Sequence, residues 1–392
     1  MEISKQKQET LNKLFSEVDK KFGKGTIQFG ECDIAPCPVI CSTGSLSLDY
    51  AIGVGGYPRG RNIEVGGMES SGKTTLSLLA IAKVQQAGEI CFFCDAEQSF
   101  DPLYASRLGV DVKSLILFQP DDAEMAYELI EDLISTGIVS FGVVDSTSTL
   151  VPRAEVAGDY GDAQMGLQAR LLSQALRKLN PIVAKKDATI FWISQIRSKI
   201  GVMFGSPDVV GVGNAMKFYA SLRIKTSRGE VEKSEEEGQE SVRIKCFVFK
   251  NKVAPAFKTG EFTLLTGVNG EYGLDIYQEV IEYGVKYEFI TKAGTWYSVG
   301  EEKLGQGKEN VKKYLKDNPE KFEEIKKKVG DKLFEDNFKN VNPNPNSFDA
   351  KAKEITEEKK RKPRSTKEEE KAVDEILPVS TDEVVKEEKV VE

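Results

Sequence analysis

The densest chemistry in this 392-residue chain lies in nine consecutive residues: Gly67, Met68, Glu69, Ser70, Ser71, Gly72, Lys73, Thr74 and Thr75. The first eight form a complete G-x-x-x-x-G-K-[ST] pattern, preceded by a strand-like 62–65 and opening an amphipathic helix at 75–87. Glycines at both ends let backbone N–H groups wrap a polyphosphate, and the helix N-terminus adds its positive dipole. Lys73 would reach the β- and γ-phosphates, and the Thr74 hydroxyl would hold Mg²⁺. The spacing, between a strand and a helix, predicts a nucleotide-binding loop.

Three further apolar runs end in polar residues. The run 90–94 leads into Asp95-Ala-Glu97, 141–144 into Asp145-Ser146, and 188–193 into Ser194-Gln195. In an open α/β sheet the carboxyl ends of strands line the ligand crevice, so Glu97, Asp145 and Gln195 should converge on the γ-phosphate. Asp145 fits a Walker-B carboxylate that holds Mg²⁺ through water. Glu97 is the natural group to polarise an attacking water, and Gln195 can hydrogen-bond the γ-phosphate. The blander reading of each is a polar residue that ends a strand.

Composition removes the competing chemistries. There is no histidine, so Ser-His-Asp and Cys-His catalysis and histidine-ligated metals are excluded. A net charge of −8 argues against a generally basic nucleic-acid binder, so any such site must be a local patch. Cys91 and Cys94 have redox-motif spacing, but their odd separation in a strand sets the thiols on opposite faces. Cys32, Cys37 and Cys41 could build zinc only with Cys246 or a carboxylate as fourth ligand. Reduced, mostly buried thiols in a cytosolic protein are expected. No run of 18 apolar residues is present.

The elements that position these residues follow from periodicity. Leu11, Leu14, Phe15 and Val18 give a short helix an apolar face that it cannot bury alone, so residues 1–33 read as a subunit-docking segment. Strands alternate with amphipathic helices across 34–268, the pattern of a mostly parallel α/β sheet. Residues 269–338 form a smaller α+β unit, with strand-like pieces near Trp296 and helices near 308–316 and 320–336. From 339 to 392 the chain is a charged tail, net basic over 351–371 and net acidic over 372–392, too polar to fold. It reads as a solvated tail, or as an acidic competitor for a basic surface elsewhere.

Two segments, about 153–166 and 196–213, are rich in glycine and charge without clear periodicity. The second directly follows Gln195, so a γ-phosphate contact could reorder it. Arg153, Arg170, Arg177, Arg197 and Lys199 flank the two and would offer a basic surface to a phosphate backbone, unless they are ordinary solvated charges.

From about Leu11 to Leu333 the chain resembles bacterial-type RecA recombinases, whether encoded by a bacterium or a bacteriophage. The resemblance rests on Lys21-Phe-Gly-Lys-Gly25, Ser42-Thr-Gly-Ser-Leu-Ser-Leu-Asp49, the phosphate loop, Asp95-Ala-Glu97 and Val144-Asp-Ser146. It continues through Met165-Gly-Leu167, Gln195-Ile-Arg197, Lys199-Ile-Gly-Val-Met-Phe-Gly205, Lys217-Phe-Tyr-Ala-Ser221, Lys250-Asn-Lys252, Lys292-Ala-Gly-Thr-Trp-Tyr297 and Leu315-Lys-Asp-Asn-Pro319. It implies a RecA-type P-loop ATPase core, an ATP-dependent helical filament on single-stranded DNA, and strand exchange with a homologous duplex. DNA-stimulated ATP hydrolysis accompanies this, and cellular members add a coprotease role toward an SOS repressor.

By the same resemblance Glu97 activates water, and Gln195 couples the γ-phosphate to the second loop. Asp101 and Tyr104 contact adenine, and Lys250 and Lys252 reach the phosphates from a neighbouring subunit. Met165 and Ile200 wedge between bases, while Ser173, Arg177, Arg197, Gly213 and Asn214 touch the backbone. Phe218 sits in the subunit interface, and Lys286, Lys303 and Lys308 meet incoming duplex. One departure is Val209-Val210-Gly211-Val212-Gly213, where the family usually carries Thr-Thr-Thr-Gly-Gly. A hexameric RecA-fold motor, a non-catalytic filament module and a small-acceptor P-loop kinase are the alternatives.

Overall fold

The computed structural model describes residues 5–23, 26–27, 37–159, 166–198, 208–210, 213–233, 240–267 and 270–338. Met165, Lys199, Ile200 and Val212 lie outside these residues, as does the tail expected at 339–392. Helix α1 (Lys5–Phe22) covers the expected N-terminal helix. Its Leu11, Leu14, Phe15 and Val18 belong to none of the three buried apolar clusters, and Leu14 is 46% exposed.

A two-stranded pair, β1 (Val39–Cys41) and β2 (Tyr57–Pro58), brackets α2 (Leu46–Ile52). The α/β core then runs β3 (Asn62–Gly67), α3 (Lys73–Gln86), β4 (Ile90–Asp95), α4 (Pro102–Arg107), β5 (Ile116–Phe118), α5 (Ala123–Ser135) and β6 (Val139–Asp145). It continues through α6 (Arg153–Val156), α7 (Leu167–Lys185), β7 (Thr189–Ser198), β8 (Asp208–Val210), α8 (Ala215–Tyr219), β9 (Leu222–Lys233), β10 (Glu240–Asn251), β11 (Lys258–Thr266) and β12 (Tyr272–Leu274).

The sheet order is β12-β11-β10-β9-β3-β7-β6-β4-β5, with β8 paired to β7. From β9 to β5 every pairing is parallel; β10, β11 and β12 add an antiparallel flank. The parallel strands are apolar on both faces because helices cover both. On β4, Cys91 and Phe93 enter the cluster under α3, whereas Phe92 and Cys94 enter the cluster under α5 and α7. The two thiols therefore point to opposite sides of the sheet. On β7, Phe191 and Ile193 alternate in the same way with Ile190 and Trp192.

The smaller unit contains α9 (Ile276–Lys286), a three-stranded antiparallel sheet of β13 (Thr291–Ala293), β14 (Trp296–Val299) and β15 (Glu302–Gln306), then α10 (Lys308–Asp317) and α11 (Pro319–Phe338). Its core gathers Val280, Ile281, Leu304, Val311, Leu315 and Ile325, with Leu46 and Tyr50 of α2 packed against it. One buried carboxylate joins it to α2: Glu279 accepts from the Ser45 hydroxyl at 2.8 Å, the Ser47 N–H at 2.7 Å and the Leu46 N–H at 3.2 Å. Burial pushes the Glu279 carboxyl up to about 7 against these hydrogen bonds.

Candidate active site

β3 delivers the phosphate loop at its carboxyl end. A Cβ on Gly67 would lie 2.1 Å from the Thr226 hydroxyl and 2.3 Å from that of Ser71, so only glycine fits. Ser70 and Gly72 both have positive φ, 56° and 82°, which curls the backbone ahead of α3. No side chain caps the first turn of α3, the arrangement an anion-binding helix start requires. Met68 stands exposed at the rim. The Lys73 ammonium donates to the Met68 carbonyl at 2.7 Å, and the Ser71 hydroxyl donates to the same oxygen at 2.7 Å. Burial lowers the Lys73 pKa, while Asp145, Glu97 and Glu69 oppose the shift.

The carboxylates meet across the strand ends. The Thr74 hydroxyl donates to Asp145 Oδ2 at 2.7 Å. Burial pushes Asp145 up to about 6, with Glu97 and Asp95 adding to the rise and Thr74 and Lys73 opposing it. Thr74 and Asp145 present hard oxygen donors to each other beside the loop, a pair suited to a small divalent cation. Glu97 is exposed, its N–H donates to the Asp145 carbonyl at 3.1 Å, and its Oε1 accepts from Gln195 Nε2 at 3.0 Å. Lys73, Thr74, Glu97, Asp145 and Gln195 therefore form one site, as strand-end logic requires.

Asp95, the first residue of the Asp95-Ala-Glu97 run, and Thr226, which no motif singles out, complete the site. Asp95 accepts from the N–H groups of Ser99 and Phe100 and from Gln119, which fixes the turn carrying Glu97. Its place at a strand end is the available signal. Thr226, which bonds Ser71 at 2.8 Å, comes from the neighbouring β9 and gives no signal along the sequence.

Asp101 and Tyr104 sit beside the loop. Asp101 caps α4, accepting from the N–H groups of Leu103 and Tyr104, and the Tyr104 hydroxyl pairs with Thr75 at 2.8 Å. Lys250 and Lys252 are placed elsewhere within the chain. Lys252 donates to the Phe218 carbonyl at 3.3 Å, and Lys250 donates to the Lys217 carbonyl at the end of α8. The Phe218 side chain is exposed.

The first loop ends at the start of α7, and the second closes against the same helix. Gly166 precedes its first turn, and Gly213, at φ 67°, packs so closely on Ala169 that a Cβ would come within 2.8 Å of the Ala169 Cβ. Asn214 follows as the residue ahead of α8, with no side-chain capping bond. Arg170, Ser173 and Arg177 follow at helical spacing on α7, both arginines exposed and Ser173 half-buried. The second loop is more regular than its sequence suggests, because β7 continues through Arg197 to Ser198 and pairs with β8. Arg153 does not join the basic face. Its guanidinium bonds Asp122 at 2.8 Å and its N–H bonds Glu124 at 2.8 Å, pinning α6 to the start of α5. In the smaller unit Lys286 lies over Tyr283 and Tyr287, Lys303 over Trp296, and Lys308 pairs with Glu282 at 3.2 Å.

Comparison with known proteins agrees along the chain. The family described as the RecA N-terminal domain matches residues 9–271, and that described as the RecA C-terminal domain matches 278–334. A "Protein RecA" of Sulfurovum sp. (strain NBC37-1) is 48% identical over 335 residues, covering 85% of this chain and 95% of that protein. One from Streptomyces rimosus is also 48% identical, over 83% and 86% of the two chains. The crystal structure of the RadB recombinase gives a TM-score of 0.43 at 24% identity, over 57% of this chain and 95% of that one.

Proposed function

The chain belongs to the RecA family, and from that premise we propose how this ATP-binding recombinase, a DNA-dependent ATPase of recombination and repair, divides the work among its residues. ATP lies on the phosphate loop with Lys73 turned from the Met68 carbonyl to the β- and γ-phosphates. The N–H groups opening α3 complete the cradle. Thr74 and Asp145 would hold Mg²⁺, which would supply positive charge beside the phosphates. Glu97 accepts the proton of the attacking water, and Asp101 and Tyr104 flank the adenine.

Gln195 reports the γ-phosphate. Its amide is held by Glu97, and β7, which carries it, runs on to Ser198 at the start of the second loop. A γ-phosphate competes for that amide and draws β7 with it, so nucleotide state reaches the loop through one side chain. The 3.0 Å Gln195–Glu97 contact is the observation that carries this reading.

Single-stranded DNA binds along the α7 stripe of Arg170, Ser173 and Arg177 and at the loop ends, including Gly213, Asn214 and Arg197. Met165, Lys199 and Ile200 add contacts from the loops. Such contacts read backbone and stacking rather than sequence, as a homology search requires. Homologous duplex approaches the 269–338 unit through Lys286, Lys303 and Lys308. The apolar stripe of α1 docks on the next subunit and builds the filament, with Phe218, Lys250 and Lys252 on the same interface and the two lysines serving the neighbour's ATP.

ATP hydrolysis with and without single-stranded DNA, in wild type and Glu97→Gln, tests the proposal. Strong stimulation in wild type is expected. The variant should lose turnover while still binding DNA with ATP. Hydrolysis in wild type that is indifferent to DNA would sink the reading.

A further inference from the structure

Glu64 is a fully buried carboxylate in the middle of β3, three residues before the phosphate loop begins. One oxygen, Oε1, accepts from the Ser194 hydroxyl at 3.0 Å, and the other pairs with Arg223 Nε. Ser194 immediately precedes Gln195, and its hydroxyl also pairs at 3.0 Å with that of Thr147, two residues beyond Asp145. Arg223 is itself buried, opposite Glu64 on β9, and its guanidinium lies 4.6 Å from the centre of the Phe249 ring. Its register partner on β10 is Lys250. A single side chain thus ties together β3, β7 and β9, with β6 and β10 one residue further out.

Stability does not explain this arrangement. A buried ion pair gains little over apolar packing once both charges are desolvated, whereas losing one partner is costly. Burial favours the protonated Glu64 carboxyl, and Arg223 and Ser194 counter it. What the pair does provide is a fixed geometry between strands, since both carboxylate oxygens are committed to named partners.

We infer that Glu64 is a positioning residue of the ATPase. Through Ser194 it sets the height of Gln195 beside the subunit's own γ-phosphate, and through Arg223 it sets the height of Lys250, which serves the neighbour's. The inference rests on the site assignment proposed above. Nucleotide contacts made by the loop itself do not pass through Glu64, so binding and turnover should separate.

The test uses the full-length protein and two variants, Glu64→Gln and Ser194→Ala, with thermal unfolding, fluorescent-ATP binding, and kcat and KM on poly(dT). Glu64→Gln should bind ATP within about threefold of wild type and keep its KM, while DNA-stimulated kcat falls about tenfold or more. Ser194→Ala, which leaves the ion pair in place, should lower kcat by roughly threefold to tenfold. If Glu64→Gln shows no cooperative unfolding, Ser194→Ala decides. Unchanged kcat in the variant that folds overturns the inference, and so does a parallel loss of binding, kcat and melting temperature. Wild type that ignores poly(dT) overturns the site assignment instead, so the two failures are distinguishable.

Discussion

Lys73 and Met68 are hydrogen-bonded within one loop, the ammonium of the first closing at 2.7 Å on the carbonyl of the second. The lysine therefore has an internal partner that phosphate must replace. The Met68 carbonyl keeps a second donor, the Ser71 hydroxyl, when Lys73 leaves. Lys73→Ala should thus lower ATP affinity by about 100-fold or more, because its charge-assisted bonds to phosphate disappear. Its melting temperature should stay within about 5 °C of wild type. Fluorescent-nucleotide titration beside calorimetry checks both, and a large fall in stability would show that the Met68 bond is structural.

Gln195→Ala removes the amide that Glu97 holds. ATP should still bind, but its effect on DNA affinity should vanish, with less than about a twofold change in dissociation constant on adding a slowly hydrolysed ATP analogue. Anisotropy of a labelled oligothymidylate measures this. A variant whose DNA affinity still responds to nucleotide would place the coupling elsewhere.

Arg177 is exposed on the α7 stripe. Arg177→Glu should weaken single-stranded DNA binding regardless of base composition. It should also reduce the slope of log K against log salt by about 0.7 for each phosphate that the protein no longer neutralises. An unchanged slope would remove α7 from the DNA path.

Glu279 gives a pH prediction whose sign is opposite to that of most salt-bridged carboxylates. Its folded-state pKa, raised by burial to about 7, exceeds the 4.5 of the free side chain, so the folded state binds the extra proton between those values. Its contribution to stability therefore falls as pH rises from about 4.5 to 7, by on the order of 3 kcal/mol. Unfolding by urea at pH 5 and pH 8 should show a smaller drop for Glu279→Gln than for wild type. Equal drops would mean that Glu279 titrates normally.

Gly142 lies under an aromatic ring: a Cβ there would come within 2.0 Å of the Phe92 ring. Gly142→Ala should cost roughly 1–3 kcal/mol by overpacking, measured by urea unfolding. Phe92→Leu in the same background should recover part of that loss. No recovery would locate the strain away from the ring.

The site is legible in the sequence because its residues lie at strand ends, where one-dimensional order becomes proximity. Lys73, Asp145, Glu97 and Gln195 can be placed together from the parallel-strand pattern alone. The partners that reach sideways are not legible. Thr226 and Arg223 contact the loop and Glu64 from 155 and 159 residues away in sequence, and no local pattern encodes that adjacency. Arg153 has the sequence signature of the basic face but does not belong to it, because its acidic partners sit at the start of a different helix. Charge along a sequence does not reveal which charges are already paired. The second loop looks aperiodic because its strand β8 is only three residues long, too short for alternation to register.

A chain without histidine has moved its neutral-range titration indoors. Asp49, raised to about 6, and Glu279, raised to about 7, are both buried away from the nucleotide site. A surface imidazole equilibrates with solvent freely, whereas these carboxyls exchange protons only when the packing around them opens. The protein's answer to a change in acidity is therefore set by the frequency of local opening as well as by the pH reached. After a rapid pH jump it should lag on the timescale of its own breathing.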